Sequence, residues 1–353
     1  MRYAKSIAAI SIFSVLLCGC EAGQTGRTEG TESIAPPNTE RINNTEHAGN
    51  TEDVKDTENT EGTASRFPYT FTDSTGEEIT LTECPQTVAV LFSSYADVWT
   101  LAGGQVNITV GESVKRGFAD DTALLVDSGA GQTIDHELLI SYEPDFVICS
   151  SDIKGQSETA AFLTSVQIPC AQFQVDSFED YLSMLKICTD ITGNPQAYET
   201  YGTDIQKTID SVLDRAKEVQ EEKKILFIRS GSGSSSAKAK TADQHFVAQM
   251  LEELGVYNIA DNAPVLLDGL SLEEILKEDP AFIFISPMGN EEAAKAYMDS
   301  VIAQPSWQSL TAVRESNYFY LPKDLFQFKP NAKWGEAYQY LAKLLYPEID
   351  FDE

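Results

Sequence analysis

The chain has 353 residues, of which 42% are apolar, and a formal net charge of -30 at neutral pH. This length and apolar fraction are sufficient for a large core and more than one lobe. So acidic a chain is repelled by nucleic acid and by anionic lipid headgroups, which argues against both as binding partners.

The N-terminus has the pattern of a bacterial lipoprotein signal peptide. Arg2 and Lys5 are followed by an apolar run that is too short to cross a bilayer and that ends in Leu17-Cys18-Gly19-Cys20. A small residue and a cysteine directly after such a run resemble the lipobox, where the signal peptide is removed and the cysteine sulfur receives a lipid. We predict a signal peptide over 1–19 and a lipid anchor on Cys20. The alternative is an ordinary signal peptide with a chance cysteine.

Residues 20–66 differ in composition from the rest of the chain. Asn-Thr-Glu recurs at positions 38, 44, 50 and 59 among many Gly, Thr and Ser residues, with almost no aromatic residues. A segment of this composition buries too little apolar surface to offset its ordering entropy. We therefore predict a disordered tether that holds a folded domain near the membrane.

The folded part contains a weak internal duplication. The strand pattern at 87–94 recurs at 224–231, and the pattern at 137–149 recurs at 273–285. In the second pair a glutamate opens a short helix, a proline ends it and an apolar strand follows. Continuous apolar strands that alternate with helices indicate parallel sheets covered on both faces.

We therefore predict an α/β fold of two similar lobes with parallel central sheets, at 67–194 and 223–353. The segment between them, 195–222, carries apolar residues at the 3.6-residue period and begins with the helix-start pair Asn194-Pro195. We interpret it as one long rigid α-helix that connects the lobes. The alternative is a surface helix of one lobe.

These features together resemble the iron-complex and cobalamin type of substrate-binding protein of ABC importers, in which one long helix joins two lobes. The resemblance covers about 69–348. It is carried by a hairpin pattern at 71–81, by second-lobe patterns at 254–261, 270–273 and 307–313, and by the closing pattern at 340–348. It implies a lipid-anchored, extracytoplasmic, monomeric binding protein whose partners are an ABC permease and its ATPase.

The resemblance also implies how the ligand is delivered. In this family one surface glutamate on each lobe docks into arginine pockets of the permease. By position relative to the helix-ending prolines, these glutamates correspond to Glu137 and Glu273. Two carboxylates on separate lobes would give a bivalent contact. Each is equally explained as a first-turn glutamate that is favoured by the helix dipole.

Ligands of open parallel sheets bind beyond the carboxyl ends of the strands, and this rule selects a set of loops. The candidate ligand-binding residues in these loops are Ser94, Tyr95, Lys115, Arg116, Phe118, Ser151, Arg229, Lys238, Lys240, His245, Met288 and Phe328. The cations among them, with nearby aromatic rings, suit a bulky anion such as a ferric siderophore or haem. Singly, each cation is as well explained as a solvated surface residue.

The ligand itself stays open between a ferric siderophore, haem and cobalamin. His245, expected on the first turn of a helix over 243–254, is a candidate axial haem ligand, although a lone histidine there is more often a cap. We predict no resident cofactor and no metal site. Of the other histidines, His47 lies in the predicted tether and His136 lies beside a predicted docking glutamate, so that a multi-histidine site cannot assemble.

Two other functions were weighed against import. No nucleophile elbow, phosphate loop or paired histidine base supports an enzyme. A sensory lipoprotein without transport fits the tether equally well. The cysteines of the folded part, Cys84, Cys149, Cys170 and Cys188, have no CxxC spacing, and sequence leaves their disulfide state open.

Overall fold

The computed structural model of the protein describes residues 66–219 and 223–352. The predicted signal peptide, the lipidation cysteine Cys20 and all but the last residue of the predicted tether lie outside the described residues.

The strands form a hairpin and two larger sheets. In chain order they are β1 Tyr69–Thr72, β2 Glu78–Leu81, β3 Val88–Val90, β4 Ile108–Val110, β5 Leu124–Asp127, β6 Phe146–Ser150, β7 Cys170–Phe173, β8 Lys224–Ser230, β9 Ala237–Ala239, β10 Tyr257–Asn258, β11 Phe282–Pro287 and β12 Tyr318–Tyr320. Strands β1 and β2 pair antiparallel, which confirms the predicted hairpin.

Helices connect nearly all of these strands. They are α1 Ser93–Leu101, α2 Gly111–Lys115, α3 His136–Ser141, α4 Lys154–Ser165, α5 Phe178–Thr192, α6 Pro195–Tyr198, α7 Asp204–Ala216, α8 Phe246–Glu253, α9 Val265–Asp268, α10 Leu272–Glu278, α11 Glu291–Ile302, α12 Thr311–Arg314, α13 Lys323–Phe326 and α14 Trp334–Leu345. Short 3₁₀ turns include Ser234–Ser236 and Asn331–Lys333.

The two larger sheets confirm the predicted α/β class with parallel central sheets. The N-terminal half has the strand order β5-β4-β3-β6-β7, and the C-terminal half has β10-β8-β11-β12. All of these neighbours pair in parallel, whereas β9 joins β8 antiparallel. The order β4-β3-β6-β7 repeats as β10-β8-β11-β12, as expected from the internal duplication.

Equivalent helix-to-strand junctions precede the central strands of both halves. In the N-terminal half, the Asp135 side chain caps the beginning of α3. In the C-terminal half, α10 ends at Glu278, and the next residue, Asp279, has a positive φ of 43°. A proline follows each helix, and the next strand, β6 or β11, is buried over its whole length. These strands are buried on both faces, which explains their continuous apolar sequence.

The segment from Pro195 to Ala216 is helical, but it is not the predicted single α-helix to residue 222. A π-helical turn at Glu199–Thr203 separates α6 from α7, and the helix ends at Ala216. The widened turn leaves the Tyr201 carbonyl free to accept a hydrogen bond from the Tyr181 hydroxyl at 2.9 Å. Whether this segment stiffly connects two lobes stays a prediction.

The apolar core is continuous through both halves. One buried cluster includes Tyr181 from the N-terminal half, Ile209 from α7 and Leu341 from α14. The Trp334 ring packs edge-on against Phe178 of one half and Phe246 of the other. Each sheet has a further buried cluster on its opposite face. The two sheets are therefore held together by shared aromatic packing.

Candidate functional site

Arg116 of the N-terminal half contacts the C-terminal half. Its Nη1 donates to Ser93 Oγ at 2.8 Å and to Ser94 Oγ at 3.3 Å. Its guanidinium lies 4.7 Å from the Phe118 ring centroid and 3.8 Å from that of Phe328. Burial lowers the pKa of Arg116, and the side chain remains a cation whose planar group is fixed by hydroxyls and rings.

Lys329 makes a second contact between the halves. Its Nζ lies 3.0 Å from Asp176 Oδ1, and its side chain is only 18% exposed. Burial tends to raise the pKa of Asp176, but Lys329 and a hydrogen bond from Gln174 outweigh it, so that the net pKa lies below the ordinary value. Burial, and then the charge of Asp176, raises the pKa of Asp152. Lys329 of the C-terminal half therefore faces Asp152 and Asp176 of the N-terminal half, and the pKa values of these two carboxylates are shifted in opposite directions.

Asn331 fixes the segment that carries Phe328 and Lys329. It is 1% exposed, has a positive φ of 52°, and its Nδ2 donates to the Ser94 carbonyl at 2.7 Å and to Asp97 Oδ2 at 2.8 Å. Burial raises the pKa of Asp97, although Asn331 and two nearby cations oppose this shift. The segment 327–331 is thus anchored to the first turns of α1, where the predicted ligand site begins.

Arg229, Lys238 and Lys240 form a basic face on the C-terminal sheet. In the antiparallel pair of β8 and β9, Arg229 lies opposite Lys238, so that both side chains project from the same face. Lys240 follows two residues later and lies on that face too. Within the described residues, none of the three forms an ion pair, and the buried Nε of Arg229 has no hydrogen-bond acceptor.

His245 lies among these cations as the N-cap of α8 rather than on its first turn. Its Nδ1 accepts a hydrogen bond from the Val247 backbone at 3.2 Å, and its ring stacks on Phe246. Burial, followed by the charges of Arg229, Lys329 and Lys240, holds the pKa of His245 well below its usual range. These charges and the hydrogen bond to Nδ1 favour the neutral ring with its proton on Nε2.

A cavity of about 380 Å³ lies beside the contact between Arg116 and Phe328. Its volume falls within the range of small-molecule sites. Both halves line it: Asp97, Arg116, Phe118, Asp324, Phe328, Lys329, Pro330, Ala332 and Lys333. Charges of both signs and two aromatic rings thus surround a space between the halves.

The structure gathers most of the predicted ligand-binding residues into two groups. Ser94, Arg116, Phe118 and Phe328 form the first group, and Arg229, Lys238, Lys240 and His245 form the second. Lys329 connects them, because its Nζ lies 5.5 Å from the Phe246 ring, on which His245 stacks. Ser151 borders the first group, and its Oγ donates to the Phe173 carbonyl at 3.3 Å.

Two predicted residues, Tyr95 and Lys115, are placed differently from expectation. Tyr95 is 1% exposed and its hydroxyl donates to the Phe173 carbonyl at 3.0 Å, so that its side chain belongs to the core and does not face a ligand. Lys115 is exposed at the end of α2 and contacts neither group. Met288 directly follows β11 and lies next to Gly231, which follows β8.

The predicted docking glutamates occupy equivalent positions. Glu137 lies in the first turn of α3 and Glu273 in the first turn of α10, and both side chains are exposed. Neither forms an ion pair within the described part of the chain. Their carboxylates are therefore free to contact another protein.

Sequence reasoning missed Asp97, Asp176 and Asn331 as site residues. The strand-end rule points to Asp176, which follows the end of β7 by three residues. Asp97 and Asn331 carry no such signal. Asp97 reaches the site because of its position on a turn of α1, and Asn331 because of its positive φ. Both residues thereby contact the opposite half.

The arrangement defines a binding protein: two parallel α/β halves whose loops enclose polar and aromatic side chains. Residues 88–325 match the family described as periplasmic binding protein, and the chain belongs to this family. It is a family of extracytoplasmic solute-binding proteins rather than of enzymes. No curated protein matches the chain.

Several solved structures share the fold. Staphylococcus aureus SirA complexed with staphyloferrin B is 15% identical, with a TM-score of 0.61 over 80% of this chain and 100% of that one. The TroA-like protein FepB from Veillonella parvula is 16% identical, with a TM-score of 0.64 over 81% and 93% of the two chains. The haem-binding protein RhuT from Roseiflexus sp. RS-1 is 16% identical, with a TM-score of 0.59 over 74% and 99%.

At these identities the likeness shows the fold alone.

Within 66–219 and 223–352, none of the helices combines the length and the apolar character that a membrane crossing requires.

Proposed function

We propose that this protein is the lipid-anchored, extracytoplasmic solute-binding component of an ABC importer that captures an anionic metal chelate, in particular a ferric siderophore. The chelate would bind between the two halves, near Arg116 of the N-terminal half and near Phe328 and Arg229 of the C-terminal half. The metal would arrive inside the chelate as cargo, so that the protein needs no resident cofactor.

The observation that carries this proposal is the unpaired basic face. The chain has a net charge of -30, and many of its lysines pair with carboxylates, as Lys186 does with Asp190 at 2.6 Å. Arg229, Lys238 and Lys240 nevertheless have no acidic partner among the described residues. Unpaired and partly buried cations are costly, and a bound anion would relieve that cost.

The chemistry of the surrounding groups favours carboxylate or catecholate oxygens as the recognised part. Guanidinium groups bind planar carboxylates with two parallel hydrogen bonds. Arg116 uses Nη1 for two serine hydroxyls, which leaves its other N–H groups available. Phe118 and Phe328 add aromatic surface for the organic part of a chelate.

Haem is the second candidate, because RhuT and other haem-binding proteins share the fold. Propionates would suit the basic face, but the hydrogen bond to His245 Nδ1 disfavours axial ligation by that residue. Cobalamin has fewer anionic groups for the cations to bind. A surface lipoprotein that senses its ligand without transport would have the same binding site.

Delivery to the permease would use Glu137 and Glu273. The protein would act as a monomer, with its ATPase partner contacted only through the permease and with the membrane contacted only through the lipid on Cys20. The equivalent exposed positions of the two glutamates support this role, because carboxylates on separate halves fix the orientation of docking.

A titration of the purified chain with a panel of chelates tests the proposal. The panel contains ferric carboxylate, catecholate and hydroxamate siderophores, hemin and cobalamin, and binding is followed by calorimetry and, for hemin, by the visible absorption spectrum. We expect saturable 1:1 binding of an anionic ferric chelate that weakens as the salt concentration rises. A Soret shift with hemin and no response to siderophores would favour haem. No heat with any member of the panel would contradict the proposed class of ligand.

A further inference from the structure

Two thiols lie close together on one face of the N-terminal sheet. The sulfur atoms of Cys149 and Cys170 are 3.4 Å apart. Cys149 belongs to β6 and Cys170 begins β7, the edge strand of the sheet. Cys170 lies opposite Val147, so that Cys149 is two residues further along the neighbouring strand and its side chain lies on the same face.

The two thiols differ in their access to solvent. Cys149 is fully buried, whereas Cys170 is half-buried and lines a surface cavity of about 610 Å³ together with residues such as Ala160 and Gln167. The hydrogen bond with Cys170, followed by burial, raises the pKa of the Cys149 thiol well above its usual range. A dissolved oxidant therefore has a path to Cys170 first, with Cys149 directly behind it.

Closing the gap between the sulfurs requires a local shift of the edge strand. A disulfide needs a sulfur separation of about 2.05 Å, so that the two atoms must approach by about 1.4 Å. Cys170 is the first residue of β7, and β7 pairs with only one strand. A shift at that end of an edge strand disturbs fewer hydrogen bonds than a shift in a central strand would.

We propose that Cys149 and Cys170 form a disulfide in the mature protein, made by exchange with a disulfide-form oxidant outside the cytoplasm. The location rests on the proposed function, since disulfides persist in oxidising compartments. The Cys170 thiolate attacks the oxidant disulfide and expels one thiolate, which leaves a mixed disulfide on Cys170. The Cys149 sulfur then attacks Cys170, and its proton passes to the second departing thiolate. Two protein thiols lose two electrons and two protons, and the oxidant is reduced to two thiols.

The bridge would lie beneath the candidate ligand site. Strand β6 leads to Ser151, and β7 leads to Asp176, which pairs with Lys329 of the other half. The backbone of Ser151 donates to the Phe173 carbonyl at 3.0 Å, so that the ends of the two strands are already joined there. A disulfide would hold the beginning of β7 against β6 and close a loop that contains all of α4.

Tryptic mapping of the full chain tests the proposal, because Lys154 lies between the two cysteines. Cleavage places Cys149 on peptide 117–154 and Cys170 on peptide 155–186, while Cys84 and Cys188 fall on other peptides. The protein is incubated with oxidised glutathione, denatured, alkylated without reduction and digested. We expect a linked pair of peptides 117–154 and 155–186, about 2 Da lighter than their sum, that disappears after reduction.

A pair of matched variants completes the test. Cys84→Ser with Cys188→Ser keeps the linked peptide, and its thermal midpoint falls on reduction by an amount on the order of 5 °C, as in the wild type. Cys170→Ser loses both the linked peptide and the effect of reduction. Alkylation of Cys149 and Cys170 on separate peptides after oxidation, or a link from either residue to Cys84 or Cys188, overturns the proposal. Peptide mapping does not depend on chelate binding, so that its result is independent of the proposed function.

Discussion

The guanidinium of Arg116 lies 3.8 Å from the centre of the Phe328 ring, although the two residues belong to opposite halves of the chain. Two serine hydroxyls orient Arg116, and Asn331 anchors the segment that carries Phe328. This contact therefore joins the two halves, and it also holds the Arg116 cation in a fixed orientation against aromatic rings. A ligand that enters between the halves must either replace the Phe328 ring or bind beside it in the adjoining cavity.

The first prediction concerns Arg116. Arg116→Lys keeps the charge but loses the planar group that contacts Ser93, Ser94 and both rings. We expect the Kd for the anionic ferric chelate to rise about tenfold for Arg116→Lys and up to about a hundredfold for Arg116→Ala, as is typical of a lost charge-assisted hydrogen bond. Calorimetric titration measures this. Arg314→Ala, at an exposed position that bonds only Thr311, serves as the control and keeps the wild-type Kd. Equal Kd values for all three variants would contradict the assignment.

The second prediction separates stability from binding at Arg229. Burial lowers the pKa of Arg229, and its Nε has no acceptor, so that the unliganded protein carries an uncompensated cation. We expect Arg229→Met to raise the free energy of unfolding by about 1 kcal/mol, while it weakens chelate binding at least tenfold.

Urea unfolding and chelate titration of the same preparations check this opposition. Lys238→Met is the matched variant, because Lys238 lies opposite Arg229 in the β8–β9 pair. It should change the unfolding free energy by less than about 0.5 kcal/mol and should weaken binding less than Arg229→Met does. A loss of stability in Arg229→Met would mean that the guanidinium has a stabilising partner within the protein.

The third prediction uses the opposite pKa shifts of Asp152 and Asp176. The net pKa of Asp176 is lowered, so that its ionised form stabilises the protein at neutral pH, and this contribution is lost as the pH falls through its folded-state pKa. The pKa of Asp152 is raised, so that its ionised form costs stability at neutral pH, and this cost is relieved as the pH falls.

We therefore expect Asp176→Asn to destabilise and Asp152→Asn to stabilise the protein at pH 7. Each change should be no more than about 1 kcal/mol, since both carboxylates are partly exposed to solvent and screened by it. Both differences should shrink when urea unfolding is repeated well below the ordinary carboxylate pKa. A shift of the same sign for both variants at pH 7 would refute the electrostatic arrangement around Lys329.

The fourth prediction concerns delivery. Glu137→Ala combined with Glu273→Ala removes one exposed carboxylate from each half, far from the basic face in sequence. We expect unchanged chelate affinity and at least a tenfold loss of iron uptake in cells that carry the permease, because the bivalent contact is lost. Glu83→Ala with Glu315→Ala also removes one exposed carboxylate from each half and should transport normally. Wild-type uptake by the first double variant would remove the docking role.

Much of the fold was predictable because it depends on local patterns. The duplicated helix–proline–strand pattern gave the equivalent strands β6 and β11, and the fully buried strands required parallel sheets. The prediction of a single α-helix over 195–222 was wrong, because a π-helical turn separates α6 from α7. The apolar periodicity of the sequence does not reveal the π-helical turn at Glu199–Thr203. Nor does it reveal the hydrogen bond that the Tyr181 hydroxyl donates to the Tyr201 carbonyl in this turn.

The candidate site was predictable only in part, since strand ends mark loops but not the direction of each side chain. The rule selects Arg116, Arg229 and Phe328, and it also selects Tyr95, whose side chain lies in the core although Tyr95 directly follows Ser93 and Ser94, the serine partners of Arg116. The place of Asn331 in the site depends on its positive φ and on its contacts with the opposite half, and no sequence pattern reveals either feature. His245 lies near the basic face, but its role as an N-cap emerges only from the geometry.

The measurement that tests the central claim most directly is the anomalous scattering of iron in crystals grown with the ferric chelate that binds most tightly. The account predicts one strong iron peak between the halves, with chelate oxygens within hydrogen-bonding distance of the Arg116 or Arg229 guanidinium and with the Phe328 ring against its organic part. An iron peak on the outer surface, with Arg116 and Arg229 both untouched, would contradict it.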